Sequence, residues 1–190
     1  MNISGIILAA GEGKRASGNK LSRYVMGKPM LQWVIEMAVN SNIKHNIIIT
    51  GKEKEFAEKL AVLYNIETVH NTDYRSGMSS SIKRGVESLP NNTDGFAIIL
   101  GDMPFVKPET MNSLIAEFSK SRIIVPVFQG KRGHPVIFPI DYKAAIFSIK
   151  GDIGAKEVLI NNKAAIKYFE TEDRGVIQDI NYFKPEKEWR

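Results

Sequence analysis

The stretch Ile3–Ala9 is apolar almost without interruption, and it ends abruptly in Ala9-Ala10-Gly11. A run that does not alternate fits a strand covered on both faces, as strands of parallel sheets are. Parallel neighbours need long crossovers, usually helical, so this run commits the chain to α/β architecture. The rest of the sequence repeats the pattern. Residues 46–50, 66–70 and 95–100 read as further strands. Between them lie helical stripes: Leu31, Val34, Ile35 and Ala38 behind Pro29; then Phe56, Leu60 and Leu63; then Met78, Ile82, Val86 and Leu89. Met111, Leu114, Ile115 and Phe118 mark another helix. Residues 122–128 form a fifth strand interrupted by Pro126, and 129–133 a hairpin turn into a strand over 134–138. That antiparallel excursion departs from plain βαβ alternation. A helical pattern over 140–147, a helix opened by Asp152 or Gly154, a strand over 164–169 and a short one over 176–180 complete the reading, with 186–190 as an exposed tail. No linker, repeat or low-complexity segment divides residues 1–190, which are expected to form one domain.

The charge is placed unevenly. Residues 12–28 hold five basic side chains (Lys14, Arg15, Lys20, Arg23, Lys28) and the single acid Glu12, a net +4 of the +5 on the whole chain. A strand ending in small residues leaves backbone N–H groups bare for an anion, and cations just beyond supply charge and directed donors. The loop reads as a triphosphate cradle. Two commoner phosphate motifs fail. Gly11-Glu12-Gly13-Lys14-Arg15-Ala16 fits G-x-G-x-x-G/A, but Gly18 lies in the path, no helical pattern starts before Pro29, and no acid stands at the required distance. A Walker loop would need a glycine where Leu8 stands and Ser or Thr after Lys14, where there is Arg15.

Composition narrows the function classes. An apolar fraction of 43% with 25% charged residues is ordinary for a globular chain. No run approaches a membrane span and the N-terminus has no basic n-region, so neither membrane nor secretion signal is expected. With no cysteines there are no disulfides, thiolate zinc sites or Cys nucleophiles. A cytoplasmic location is expected. The pI near 9.3 would allow nucleic acid. Charge concentrated in one loop, without interleaved aromatics, fits a small polyanionic substrate better.

Three other places carry candidate chemistry. A helix starting near Gly77 puts Ser79, Ser80 and Ser81 in its first turn, where N–H groups are unpaired and anions are favoured. Asp102 follows the fourth strand directly, a place suited to a divalent cation bridging phosphates. Lys131, Arg132 and His134 cluster beside Gly130 and Gly133, which suits a second anionic group.

Taken together, Leu8-Ala9-Ala10-Gly11 with Arg15 and Lys20, Gly77-Met78-Ser79-Ser80-Ser81-Ile82, Gly101-Asp102-Met103-Pro104, Gly133-His134-Pro135-Val136, Gly151-Asp152-Ile153-Gly154-Ala155 and Asp179-Ile180-Asn181 resemble the MobA-like nucleotidyltransferases, specifically the molybdenum cofactor cytidylyltransferase branch. The resemblance implies a three-layer α/β/α, Rossmann-like fold of the nucleotide-diphospho-sugar transferase type with a mostly parallel sheet. It implies transfer of CMP from CTP to molybdopterin with Mg²⁺ as cofactor. A transient contact with a molybdenum hydroxylase would follow. Carried over by position, Leu8, Ala9, Ala10, Gly11, Gly13, Lys14, Arg15, Lys20, Asn71, Gly77, Ser80 and Ser81 would bind the nucleotide. Lys20, Arg15 and Asp102 would act in catalysis, Asp102, Asp179 and Asn181 on the metal, and Arg132, Gly133 and His134 on the acceptor. Leu-Ala-Ala-Gly goes with CTP in this family, Leu-Ala-Gly-Gly with GTP. The chain departs from the family in Ala16-Ser17-Gly18, where the glycine falls one place late, and in Asn181-Tyr182, where Asp-Thr is usual. Rival readings are a guanylyltransferase, a sugar- or alditol-phosphate cytidylyltransferase, and a non-catalytic pterin delivery protein.

Overall fold

The computed structural model describes residues 1–11 and 19–180. Gly13, Lys14, Arg15 and Asn181 lie outside them. The central sheet has the order β10-β7-β9-β6-β1-β4-β5, with β8 paired to β7. Its strands are β1 (Ile3–Ala9), β4 (His45–Thr50), β5 (Glu67–His70), β6 (Gly95–Leu100), β7 (Ile123–Phe128), β8 (Lys131–Arg132), β9 (Val136–Pro139) and β10 (Ile166–Glu170). β1 runs parallel to both β4 and β6, and β9 runs antiparallel to β6. The chain leaves β1 toward β4 and β5, then crosses back to β6 on its other side. β1 therefore stands at the topological switch point, where open α/β sheets collect ligands at their carboxyl edge.

Successive residues of β1 alternate between two cores. Ile3, Ile7 and Ala9 face a layer holding α1 (Met30–Val39), α2 (Lys54–Leu63) and α4 (Pro108–Ala116). Ile6 faces the layer of α3 (Met78–Glu87), α5 (Lys143–Ser148) and α6 (Lys156–Asn161). The uninterrupted apolar run is thus buried twice over, and the α/β/α expectation holds. The antiparallel excursion is also present. β7 turns into β8 through Gln129 (φ 50°) and Gly130 (φ 75°), a left-handed pair suited to a tight hairpin.

The structure corrects several expectations. Leu63, expected to face inward on the second helix, is 75% exposed; Ala57, Leu60 and Ala61 are the buried set, and the stripe is turned by one residue. Met78 is likewise exposed at the head of α3, whose buried face is Ser79, Ser81, Ile82, Gly85 and Val86. A Cβ on Gly85 would lie 2.3 Å from Ile6 Cγ2, so α3 sits on the sheet too closely for any side chain there. Residues 176–180 are not a strand. Arg174–Ile177 is a 3₁₀ turn whose end runs past the sheet edge. A short hairpin, β2 (Tyr24–Val25) with β3 (Lys28–Pro29), also precedes α1, where the sequence pattern shows only loop.

Candidate active site

The carboxyl edge of the sheet carries the candidate residues in strand order. At the end of β1 the Ala9 and Ala10 side chains are 1% and 3% exposed, which leaves Gly11 exposed at the rim. A Cβ on Gly11 meets no described atom within 4 Å. The flanking turns are drawn in hard. A Cβ on Gly51 would be 2.5 Å from the Ala10 carbonyl oxygen, and one on Gly101 would be 2.7 Å from that of Leu8. The Gly101 N–H donates to the Leu8 carbonyl at 3.1 Å. Asp102 is thereby carried against the switch point. Lys20 Nζ donates to Asp102 Oδ2 at 2.7 Å, the two side chains 13% and 29% exposed.

The late part of the chain straps across the same edge. Asp173, 6% exposed, accepts from Lys107 N–H (2.9 Å), Thr110 Oγ1 (2.7 Å) and Gly175 N–H (2.9 Å). The Val176 carbonyl accepts from the His134 N–H at 2.8 Å, and Ile180 N–H donates to the Asp102 carbonyl at 3.0 Å. That last bond runs the backbone of Asp179 alongside Asp102. His134 has its ring hydrogen-bonded to the Ile98 carbonyl. Burial pushes its pKa below the usual histidine range, against the upward pull of that bond and of the Asp102 charge. Its Nδ1 is buried without a partner among the described residues.

Other expected residues go elsewhere. Arg132 is exposed, its guanidinium 5.0 Å from the Tyr168 ring centroid, and no described contact ties it to Asp102. Asn71, 4% exposed, donates to Ser80 Oγ (2.8 Å) and Ser81 Oγ (2.9 Å); Ser80 Oγ donates in turn to the Gly77 carbonyl at 2.8 Å. The expected anion site in the first turn of α3 is not there. Met78 N–H donates to Asp152 Oδ1 (3.0 Å), Ser79 N–H to the Gly151 carbonyl (3.1 Å) and Ser80 N–H to the Gly77 carbonyl (3.2 Å). The Asp152 carboxylate, 74 residues away, caps the first of those amides, and backbone carbonyls take the other two. Gly77 (φ 109°) makes this possible, since a Cβ there would sit 2.6 Å from Gly151 backbone.

Sequence reasoning missed Glu53. This carboxylate, 8% exposed, accepts from Leu21 N–H at 2.9 Å and Ser22 N–H at 3.0 Å. An acid between two lysines reads as the first turn of a helix, and only the preceding Gly51 marked the place as unusual.

Among the described residues no three His, Asp or Glu side chains are grouped to hold a metal. Asp102 is a hard oxygen donor at the switch point, with the Asp179 backbone beside it. Mg²⁺ is commonly held by one or two carboxylates, with water and substrate phosphates completing its shell. The residues fit an ion that arrives with the nucleotide rather than one caged by protein.

The fold is thus a doubly wound α/β sheet with a carboxylate and an ammonium paired at its switch point, the place where such sheets collect ligands. The chain belongs to the MobA-like NTP transferase family, whose domain model matches residues 5–166, and it is a nucleotidyltransferase. It is 26% identical over 186 residues to the purine catabolism protein PucB of Bacillus subtilis, covering 93% of this chain and 90% of that one. It is 27% identical over 184 residues to a probable molybdenum cofactor guanylyltransferase of Natranaerobius thermophilus, covering 95% and 87%. A 28% match to the bifunctional protein GlmU of Clostridioides difficile covers 80% of this chain but only 32% of that protein. Among solved structures, a nucleotidyl transferase from Methanothermobacter superposes with a TM-score of 0.83 at 19% identity, covering 95% and 92%. The manganese complex of Rv0371c from Mycobacterium tuberculosis does so at 0.77 and 20%, covering 90% and 89%.

Proposed function

We propose that this protein transfers CMP from CTP to the terminal phosphate of molybdopterin and releases pyrophosphate. The observation that carries the reading is the 2.7 Å approach of Lys20 to Asp102, made by segments 82 residues apart. The expected charges of a metal–triphosphate complex are both answered there. An acceptor phosphate oxygen attacks the α-phosphorus of the nucleotide, a new P–O bond forms, and the bond to the bridging oxygen of pyrophosphate breaks. The acceptor phosphate is already ionised near neutral pH and needs no general base. Catalysis then reduces to alignment and charge neutralisation.

In this reading the Ala10-Gly11 backbone faces the phosphates, and Lys20 exchanges its contact with Asp102 for the β- and γ-phosphate oxygens as charge builds on the leaving group. Asp102, with Asp179 alongside, is the place for Mg²⁺, which when bound neutralises phosphate charge as a Lewis acid. The manganese bound by a structural neighbour supports a divalent ion. The Asn71 amide braces the Ser80 and Ser81 hydroxyls by donating to both, and these three side chains would meet base and ribose. His134 is buried with an Nδ1 that has no partner among the described residues, and the Gly133-His134-Pro135 motif assigns it to the acceptor side. Arg132 is exposed enough to swing from Tyr168 to a distal anionic group. Cytidine is read from Ala10 in Leu-Ala-Ala-Gly, and molybdopterin from the Gly133-His134-Pro135 and Gly151–Ala155 motifs. The N. thermophilus relative named a guanylyltransferase makes GTP the direct competitor.

The test is pyrophosphate release with CTP, GTP, ATP and UTP against molybdopterin, sugar phosphates and alditol phosphates, each with and without Mg²⁺. CTP with molybdopterin is expected to be fastest and to require the metal. Release from GTP alone, or from none of the four, would overturn the assignment.

A further inference from the structure

The three residues after β4 touch the first crossover twice, at Ala10 through Gly51 and at Leu21 and Ser22 through Glu53. Taking a carboxylate out of water is costly unless its oxygens are fully used. Here each oxygen takes one of two consecutive backbone N–H groups, at 2.9 and 3.0 Å. Those bonds fix the peptide planes on both sides of Leu21, the first of which carries the Lys20 carbonyl. From the other side, Leu31 N–H donates to the Leu21 carbonyl at 3.1 Å and Met30 N–H to that of Arg23 at 2.8 Å. Lys20 therefore leaves a braced backbone, and its otherwise flexible stem starts from one fixed point.

Helix capping does not explain the acid. The Glu53 carbonyl accepts from Ala57 N–H at 3.0 Å, yet its side chain makes no capping bond to α2. Contact with a triphosphate does not explain it either, because like charges repel. We propose that Glu53 is a positioning residue that directs Lys20 toward Asp102, and so aligns the triphosphate for transfer. The catalytic half of this statement rests on the nucleotidyl-transfer reading above; the geometric half does not.

Glu53→Gln is the sharpest variant. It keeps the shape and one acceptor oxygen but turns an NH₂ group toward one of the two amides. The first readout is amine labelling of Lys20 in the full-length protein, followed by mass spectrometry, with Lys28, paired to Glu36 at 2.7 Å, as internal reference. Lys20 is expected to label several-fold faster relative to Lys28 than in wild type. The second readout is steady-state kinetics. kcat should fall on the order of tenfold to a hundredfold, the usual cost of a small misplacement, while KM for the acceptor holds. Glu53→Asp keeps the charge, withdraws it by one methylene, and should give both shifts in smaller measure. It takes over if the glutamine variant does not fold. A variant that melts earlier but keeps the wild-type labelling ratio and kcat makes Glu53 a fold residue only and overturns the proposal. A wild-type protein that releases no pyrophosphate with any triphosphate sinks the enzymatic reading, and labelling of Lys20 still decides what Glu53 does.

Discussion

Replacing Gly11 and Gly51 separately by alanine distinguishes a glycine kept open for a ligand from one kept for packing. At Gly51 the new Cβ would lie 2.5, 2.7 and 2.9 Å from the O, Cα and C atoms of Ala10, all backbone that cannot rotate away. Such overpacking costs about 1–3 kcal/mol. At roughly 2–4 °C per kcal/mol for a chain of this size, the melting temperature should fall by about 2–12 °C. At Gly11 no described atom is within 4 Å of the added carbon and no positive φ forces glycine, so stability should stay within about 0.5 kcal/mol. The new methyl instead intrudes where phosphate oxygens approach backbone amides. Loss of one charge-assisted hydrogen bond is worth about 1.5–3 kcal/mol, roughly a ten- to hundredfold weaker Kd for Mg–CTP. Thermal unfolding without ligand and calorimetric titration of CTP with Mg²⁺ read the two effects apart. Wild-type CTP affinity in Gly11→Ala, or a wild-type melting temperature in Gly51→Ala, would refute the reasoning.

Asp173→Ala leaves three donors around a site 6% exposed. It should cost about 2–4 kcal/mol, read in urea unfolding. Leu60→Ala, at a site 7% exposed, should cost about 2–4 kcal/mol. Leu63→Ser, at 75% exposure, should stay within about 0.5 kcal/mol; equal losses would mean the α2 face is assigned wrongly. Burial holds the His134 pKa below the 6.5 of an ordinary histidine. The unfolded chain therefore binds more protons as pH falls below 6.5. Stability present above that pH should drain away toward the folded pKa, and His134→Gln should flatten that slope in unfolding measured across the range.

Some of this edge was readable in the sequence because its causes are local. The apolar run of β1 needs burial on both faces, and the charge of residues 12–28 cannot be dispersed. Asp102 follows a strand end that the βα pattern places at the ligand edge. What sequence could not show depends on segments distant along the chain. Asp152 looks like the cap of its own helix and instead caps α3. Leu63 falls outside because Ala57 and Ala61, small enough to sit flat on the sheet, set the face of α2. The 3₁₀ turn at Arg174–Ile177 owes its path to Asp173 and to Gly175, where a Cβ would lie 2.1 Å from the Phe105 carbonyl oxygen. Nothing local distinguishes that segment from a short strand.

Turnover by Asp102→Ala is the most direct measurement. The folded variant, supplied with CTP, Mg²⁺ and molybdopterin, should release no pyrophosphate above background while melting as a cooperative unit. Pyrophosphate release at the wild-type rate would mean that the acid beside Lys20 has no part in the chemistry, and the account of this site would fail.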